Sequence, residues 1–228
     1  MSTIGALRKG LRILALFNER HAVLRVTDIA AATGMPLTTA YRAVLTLAAD
    51  DYLERLPDGS YRPGWRVLEL GAAALRAADL VLAGAPPLAA LARATGQRVN
   101  LAVLDGDNVL YLVCLGSPHV VTSSVQVGSM RPAGHTAIGK LLLAHLGEAP
   151  PPELCAELAQ IRAQGWAVQD DELAPGLCSV AAPVRDSAGR VVAGANVMQP
   201  AGASPCPMSE LTPRLVRCCA EISAAIPG

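Results

Sequence analysis

Along the first fifty residues apolar side chains recur every three or four positions. Leu7, Leu11, Leu14 and Phe17 keep helical spacing, which predicts an amphipathic helix over residues 5 to 18. Thr27 suits the N-cap of a second helix through Asp28-Ile29-Ala30-Ala31-Ala32, which Gly34 breaks, and Pro36 stands where a first-turn proline opens a third. In that third helix Tyr41, Val44, Leu45 and Ala48 fall on one stripe, with Thr38, Thr39, Arg42 and Thr46 on the other side. Residues 51–56 then read as a strand, Pro57-Asp58-Gly59-Ser60 as a turn, and Tyr61-Arg62 as the start of a return strand.

Farther along, Trp65, Leu68, Ala72 and Leu75 predict a linker helix from residue 65 to about 80, with Gly84-Ala85-Pro86-Pro87 as the break before a helix from Pro87 to a stop at Gly96. Strands are expected at Val99–Leu104 and Asn108–Cys114, around Asp105-Gly106-Asp107, with Val120–Val127 as a third. Helices follow at Thr136–Leu146 and Glu153–Ala163, the latter stopped by Gly165. Strands at Leu177–Val184 and Val191–Met198 flank the turn Asp186-Ser187-Ala188-Gly189. A last helix starts at Thr212, with Pro213 in its first turn and Leu215, Cys219, Ile222 and Ile226 on one face. Strand pairs joined by tight turns, with helices grouped to one side, imply an α+β domain with an antiparallel sheet and a concave region between sheet and loops. The chain then divides into residues 1–64, a linker helix over 65–84, and a domain over 85–228.

Charge adds a division of labour. The net charge is zero, yet residues 1–66 hold nine Lys/Arg against six acids, +3, and the remainder carries −3. An apolar content of 52 % excludes a disordered chain, and 3 % aromatics exclude a stacking platform for single-stranded nucleic acid. Met1-Ser2-Thr3-Ile4 opens without a secretory signal, and no apolar run approaches the roughly 20 residues of a membrane helix, so a cytoplasmic protein is expected. The six cysteines lack a Cys-x-x-Cys pair, and Arg217 beside Cys218 is the one basic neighbour in sequence able to lower a thiol pKa; buried, inert thiols are expected. The four histidines lack metal-ligand spacing, and the consecutive Asp170-Asp171-Glu172 cannot all face one cation, so no metal or cofactor is expected. With no Gly-x-Ser-x-Gly, P-loop or His-Glu-x-x-His, an enzyme is not expected either.

Two helices around a tight glycine turn, followed by a hairpin, have the order of a winged helix-turn-helix, whose second helix enters the DNA major groove. Threonine hydroxyls and methyls and one arginine suit base edges and phosphates, and the hairpin arginines suit flanking phosphates. The candidate DNA-contact residues are Thr38, Thr39, Tyr41, Arg42 and Thr46, with Arg55 and Arg62 on the wing. A rival reading makes the chain a ligand-, thiol- or metal-sensing module whose helix-turn-helix serves only as a dimerisation surface. The outward polar face of Thr38, Thr39 and Arg42 favours DNA over that rival.

The stretches Thr27-Asp28-Ile29-Ala30, Thr33-Gly34-Met35-Pro36-Leu37-Thr38-Thr39-Ala40-Tyr41-Arg42 and Asp58-Gly59-Ser60-Tyr61-Arg62-Pro63-Gly64 resemble the DNA-binding domain of the IclR family of regulators. The resemblance continues through Thr95-Gly96-Gln97-Arg98-Val99-Asn100-Leu101, Gly139-Lys140-Leu141-Leu142, Gly165-Trp166-Ala167-Val168, Pro175-Gly176 and Ala181-Ala182-Pro183-Val184. It implies a GAF-like effector-binding domain behind the winged helix, a homodimer or dimer of dimers on a roughly palindromic operator in double-stranded DNA, and a small-molecule effector. Carried over motif by motif, the effector-binding residues are Ala137, Ile138, Gln169, Ser179, Asn196 and Met198. Two departures stand out: Pro150-Pro151-Pro152 replaces a longer helical connection, and Asn196 and Met198 stand where many relatives carry serine. The expected ligand is a small, neutral or weakly acidic molecule such as an aromatic acid or its derivative. Its nearest cations by sequence are Arg131 and Lys140, with Lys140 facing outward.

Overall fold

The computed structural model describes residues 4–116, 125–146, 152–170, 177–200 and 207–227, and the chain divides into two compact units, Met1–Leu75 and Arg76–Gly228. In the first, α1 (Gly5–Leu14), α2 (Val26–Thr33) and α3 (Leu37–Ala49) precede a hairpin of β1 (Leu53–Arg55) and β2 (Tyr61–Pro63). Ile13, Ile29, Met35, Ala40, Val44, Leu53 and Tyr61 form its core. An isolated bridge between Leu24 and Tyr61, whose backbones exchange hydrogen bonds of 2.8 and 2.9 Å, ties the segment before α2 to the hairpin.

Several local expectations shift here. The first helix stops at Leu14, and its buried residue is Ile13, while Leu7 and Leu11 are exposed. The second helix is capped at Arg25, whose backbone N–H donates to the Asp28 carboxylate at 3.0 Å; Thr27 lies inside the first turn. Pro36 is the N-cap of α3, and its carbonyl accepts from the N–H groups of Thr39 and Ala40. Gly34 holds the left-handed conformation, φ 68°, that the turn between α2 and α3 requires. The buried stripe of α3 is Ala40 and Val44, backed by half-buried Leu47 and Ala48. Tyr41 and Leu45, one residue farther round, are exposed because a single helical step of about 100° carries them off that stripe.

The helix α4 (Trp65–Ala77) carries the chain across the division between the units. The expected break at residues 84–87 is absent: α5 runs from Asp79 to Thr95 through Pro86 and Pro87, and the interruption falls at Ala78 instead. Residues 79–84 thus belong to α5 and not to a linker helix. Gly84 serves packing, since a Cβ there would stand 2.7 Å from Leu101 Cδ2. The prolines leave the carbonyls of Leu82 and Ala83 without helical donors, a cost offset by burial of Leu88 and Leu91 against the sheet.

The second unit is built on a six-stranded antiparallel sheet, ordered β5 (Met130–Pro132), β4 (Asn108–Leu115), β3 (Arg98–Asp105), β8 (Val191–Pro200), β7 (Leu177–Arg185), β6 (Ala167–Asp170). Helices α5 and α8 (Met208–Ala225) cover one face through Leu88, Leu101, Val197, Leu215 and Ile222. Helices α6 (Ala137–Leu146) and α7 (Cys155–Gln164) cover the other through Ile138, Leu141, Leu158 and Ala181. Helices therefore lie on both faces rather than one. The final helix begins at Met208, four residues before Thr212, and Pro213 sits inside it. The short strands β5 and β6 were not anticipated, while the expected strand at Val120–Val127 lies outside the described residues over 120–124, and residues 125–127 form no strand. The segment around Pro150-Pro151 also lies outside the described residues.

Candidate functional site

Two regions gather the polar chemistry, one in each unit. On α3 the residues Thr38, Tyr41, Arg42 and Thr46 are exposed and Thr39 is half-buried. The first turn of α3 holds no acid, so the positive end of its dipole is open to an anion. A surface cleft of about 470 Å³ lies beside it, lined by Arg25, Thr27, Thr38 and Tyr41 together with Asp58 and Gly59 of the hairpin turn. Arg25 and Thr27 were missed by the sequence reading; their place at the start of α2, next to the α3 N-terminus, is visible only after folding. Arg25 lies 3.9 Å from Asp58, a weak exposed pair that a phosphate can displace.

The remaining candidates of this unit differ in availability. Arg42 and Arg55 are exposed and make no hydrogen bond or ion pair with any described residue. Arg62 is engaged: Nε and Nη2 donate to the two Glu54 oxygens at 2.9 and 3.0 Å across the β1–β2 pair. The Glu54 carboxyl is held below its ordinary range by that hydrogen bond from Arg62. The Thr46 hydroxyl donates back to the Arg42 carbonyl at 3.0 Å, which leaves its methyl and its oxygen lone pairs for a neighbour.

In the second unit Gln169, Ser179, Asn196 and Met198 are all buried, and strand register brings them together. One row across the sheet reads Arg98, Met198, Ser179, Gln169; the next reads Cys114, Asn100, Asn196, Ala181, Ala167. Ala167 and Ala181 of the second row pack in the core beneath α6, and parity along each strand puts the first row on the same face. Ala137 and Ile138 sit in the first turn of α6 above it. A Cβ at Gly194 would lie 2.9 Å from Ile138 Cγ2, and one at Gly139 would lie 2.1 Å from the Ala133 carbonyl, so bare backbone at both positions lets α6 lie close. The Thr136 hydroxyl fastens that helix by accepting the Gly139 N–H at 2.9 Å.

Hydrogen bonds tie the rows into a seam. Asn100 Nδ2 donates to Asn196 Oδ1 at 2.8 Å, Ser179 Oγ lies 3.4 Å from Gln169 Oε1, and Arg98 donates to the Val125 carbonyl. Burial pushes the Cys114 thiol pKa up, and the neighbouring Arg98 only partly opposes it. The Tyr111 hydroxyl, which hydrogen-bonds Thr136, is pushed up to about 12 by burial. Lys140 does not face outward. It is buried and its ammonium donates to Glu157 at 2.8 Å, joining α6 to α7.

The sequence of the first unit matches the IclR helix-turn-helix domain over residues 6–57. The C-terminal domain of the bacterial transcriptional regulator IclR matches over residues 72–150 and 149–224. The chain belongs to the IclR family. IclR-family relatives include the transcriptional regulator XynR of Escherichia coli, 32 % identical with 85 % of each chain covered. The Pca regulon regulatory protein of Pseudomonas putida is 32 % identical, with 84 % of this chain and 73 % of that protein covered. Among solved structures, an IclR homologue from Microbacterium hydrocarbonoxydans complexed with 4-hydroxybenzoate superposes with a TM-score of 0.81 at 25 % identity, covering 97 % of this chain and 99 % of that one.

Within the IclR family frame, the seam residues Arg98, Asn100, Cys114, Tyr111 and Thr136 went unnoticed in the sequence. A signal for the first two was present. Arg98 and Asn100 alternate with the apolar Val99 and Leu101, so two polar residues fall on one face of a strand flanked by apolar neighbours. The cations named from sequence, Arg131 and Lys140, therefore omitted Arg98, the one that register sets opposite Met198.

Proposed function

We propose that this IclR-family chain is a DNA-binding transcription regulator whose operator affinity changes when a small organic effector occupies the polar seam beneath α6. The observation that carries DNA binding is the exposed α3 face, where Thr38, Tyr41 and Arg42 project beside a helix N-terminus free of acids. Arg42 suits a bidentate contact to guanine, Thr38, Thr39 and Thr46 suit phosphates and thymine methyls, and Arg55 and Arg25 suit backbone phosphates, with Arg62 a lesser contact because Glu54 holds its guanidinium. Such a protein acts in the cytoplasm as a homodimer or dimer of dimers on a roughly palindromic site.

Effector binding is supported by the burial of Gln169, Ser179, Asn196 and Met198 in one polar patch under Ala137 and Ile138. The 4-hydroxybenzoate complex of the Microbacterium homologue and the Pca regulon relative favour an aromatic acid or its derivative as the class to try first. The test is fluorescence anisotropy with duplexes from the region upstream of the protein's own gene, over a salt series and with candidate acids. Nanomolar binding to one duplex, a steep loss with salt and a shift of at least tenfold with one acid are expected. Equal affinity for all duplexes would defeat the reading.

A further inference from the structure

The opening strand of the sheet carries two polar atoms that no described residue satisfies. Asn100 is wholly buried; its Nδ2 donates to Asn196 Oδ1 at 2.8 Å and to Met198 Sδ at 3.3 Å, and its Oδ1 is buried with no donor. Two residues earlier, Arg98 is half-buried, and its Nε–H is buried with no acceptor. One terminal nitrogen of that guanidinium donates to the Val125 carbonyl, and no carboxylate among the described residues pairs with it. Positions i and i+2 share a face of a strand and lie about 6–7 Å apart. Both side chains therefore stand on the α6 side of β3, next to Asn196 and Met198 in register.

Buried polar atoms in folded proteins nearly always find a partner. Here the two orphans are complementary in kind: a cationic donor that calls for an anionic oxygen, and a neutral acceptor that calls for an O–H or N–H. Resting on the effector reading above, we infer that Arg98 and Asn100 select the effector, a compact monocarboxylate whose carboxylate is bound by the Arg98 guanidinium and whose hydroxyl donates to Asn100 Oδ1. A carboxylate beside a guanidinium gains a charge-assisted hydrogen bond, which removes the main cost of burying the acid. A second carboxylate on the same molecule would have to share Arg98 or compete for Arg131, which already has partners of its own, so dicarboxylates bind less well. A ligand without a donor leaves Asn100 Oδ1 as unsatisfied as before, so the deoxy acid binds less well than the hydroxy acid.

The experiment is calorimetric titration of the full-length protein with two matched series: 4-hydroxybenzoate, benzoate, 4-hydroxybenzamide and terephthalate, and 4-hydroxybutyrate, butyrate, 4-hydroxybutyramide and succinate. In at least one series the hydroxy acid binds best, with a loss of tenfold or more for each of the deoxy acid, the amide and the diacid. Arg98→Met abolishes the preference for acid over amide, and Asn100→Val abolishes the preference for hydroxy over deoxy acid. Arg98 is half-buried and its Met variant keeps the stem, so that arm stands even where Asn100→Val fails to fold. An amide or diacid that binds as tightly as the hydroxy acid overturns the inference, as does an Arg98→Met variant that keeps its acid preference. Failure of every acid to bind overturns it as a statement of ligand class. Where Arg98→Met binds the hydroxy acid undiminished and Asn196→Leu does not, the selection by Arg98 falls and the seam remains the effector site; undiminished binding in both removes the seam reading too.

Discussion

Arg42 and Arg62 are both candidate DNA contacts in the sequence, and the structure sets their availability apart. Arg42→Ala is expected to weaken specific DNA binding by about 1–3 kcal/mol and to relax base preference at one position per half-site. Arg62→Ala is expected to weaken binding less than Arg42→Ala does, by under about fivefold, because its guanidinium is already engaged by Glu54. Anisotropy titrations on operator and scrambled duplexes separate these outcomes, and a larger loss for Arg62→Ala would reverse the assignment. His145 gives a pH signature. Burial, reinforced by the charges of Arg185 and Arg162, holds its pKa below 6.5, and its Nε2 is buried without a partner among the described residues. The unfolded chain thus takes up the proton first. Stability from this group is complete above pH of about 6.5 and is lost as pH falls from there toward the depressed folded value. Urea midpoints measured from pH 7.5 to 5 should decline in the wild type and flatten in His145→Gln. Thiol chemistry is not expected to act as the switch: burial pushes Cys218 up to about 11 and Cys219 and Cys114 upward, while Cys155 is exposed. Iodoacetamide at neutral pH should label Cys155 well before Cys218 or Cys219, and mild peroxide should leave DNA affinity within tenfold; a larger reversible shift would mean that a thiol controls the protein.

At the scale of elements, the seating of α6 is strictest at Gly139. Gly139→Ala would drive a Cβ into the Ala133 backbone, which cannot yield as a flexible side chain can. A loss of about 3 kcal/mol is expected, read as a lowered thermal midpoint, with Leu143→Ala on the half-buried side of the same helix as the milder control. Elements with strong punctuation were legible in the sequence: the turn at Gly34, the hairpin around Asp58-Gly59, the stop at Gly96 and the stop at Gly165 all stand where composition placed them. Errors arose where tertiary packing overrode punctuation. Gly84-Ala85-Pro86-Pro87 reads as a break, yet the helix continues through it, with Gly84 packed close to the Leu101 side chain. Short edge strands β5 and β6 carry too few residues to show a period of two, and Tyr41 and Leu45 share a sequence stripe with buried Val44 yet stand exposed, because apolar character alone does not say which side of a helix is inward. In the seam, Asn196, Ser179 and Met198 were reachable through motif resemblance, while Asn100 needed the pairing of strands 96 residues apart.

For the whole molecule, the division after Leu75 sets where the chain can be cut. A fragment starting at residue 85 removes Leu80, Val81 and Ala83, which pack on the core beneath α5 and α8. A fragment from Arg76 keeps them. The longer fragment is expected to melt several degrees higher, since each apolar side chain that is restored contributes about 1 kcal/mol or more. Equal melting temperatures in scanning calorimetry would show that the first turns of α5 add nothing. The pairing of β3 with β8 also has a consequence in time. The first unit makes its contacts within seventy-five residues, and its three helices and hairpin are complete as soon as that much chain has left the ribosome. The centre of the sheet must wait for Asn196 to emerge and find Asn100, closing a loop of 96 residues before any reward is collected. During synthesis, then, the reading head exists well before the seam, and every nascent chain passes through an interval in which it has a finished winged helix and an open, unpaired β3 edge, the stretch of its life when aggregation is the competing fate.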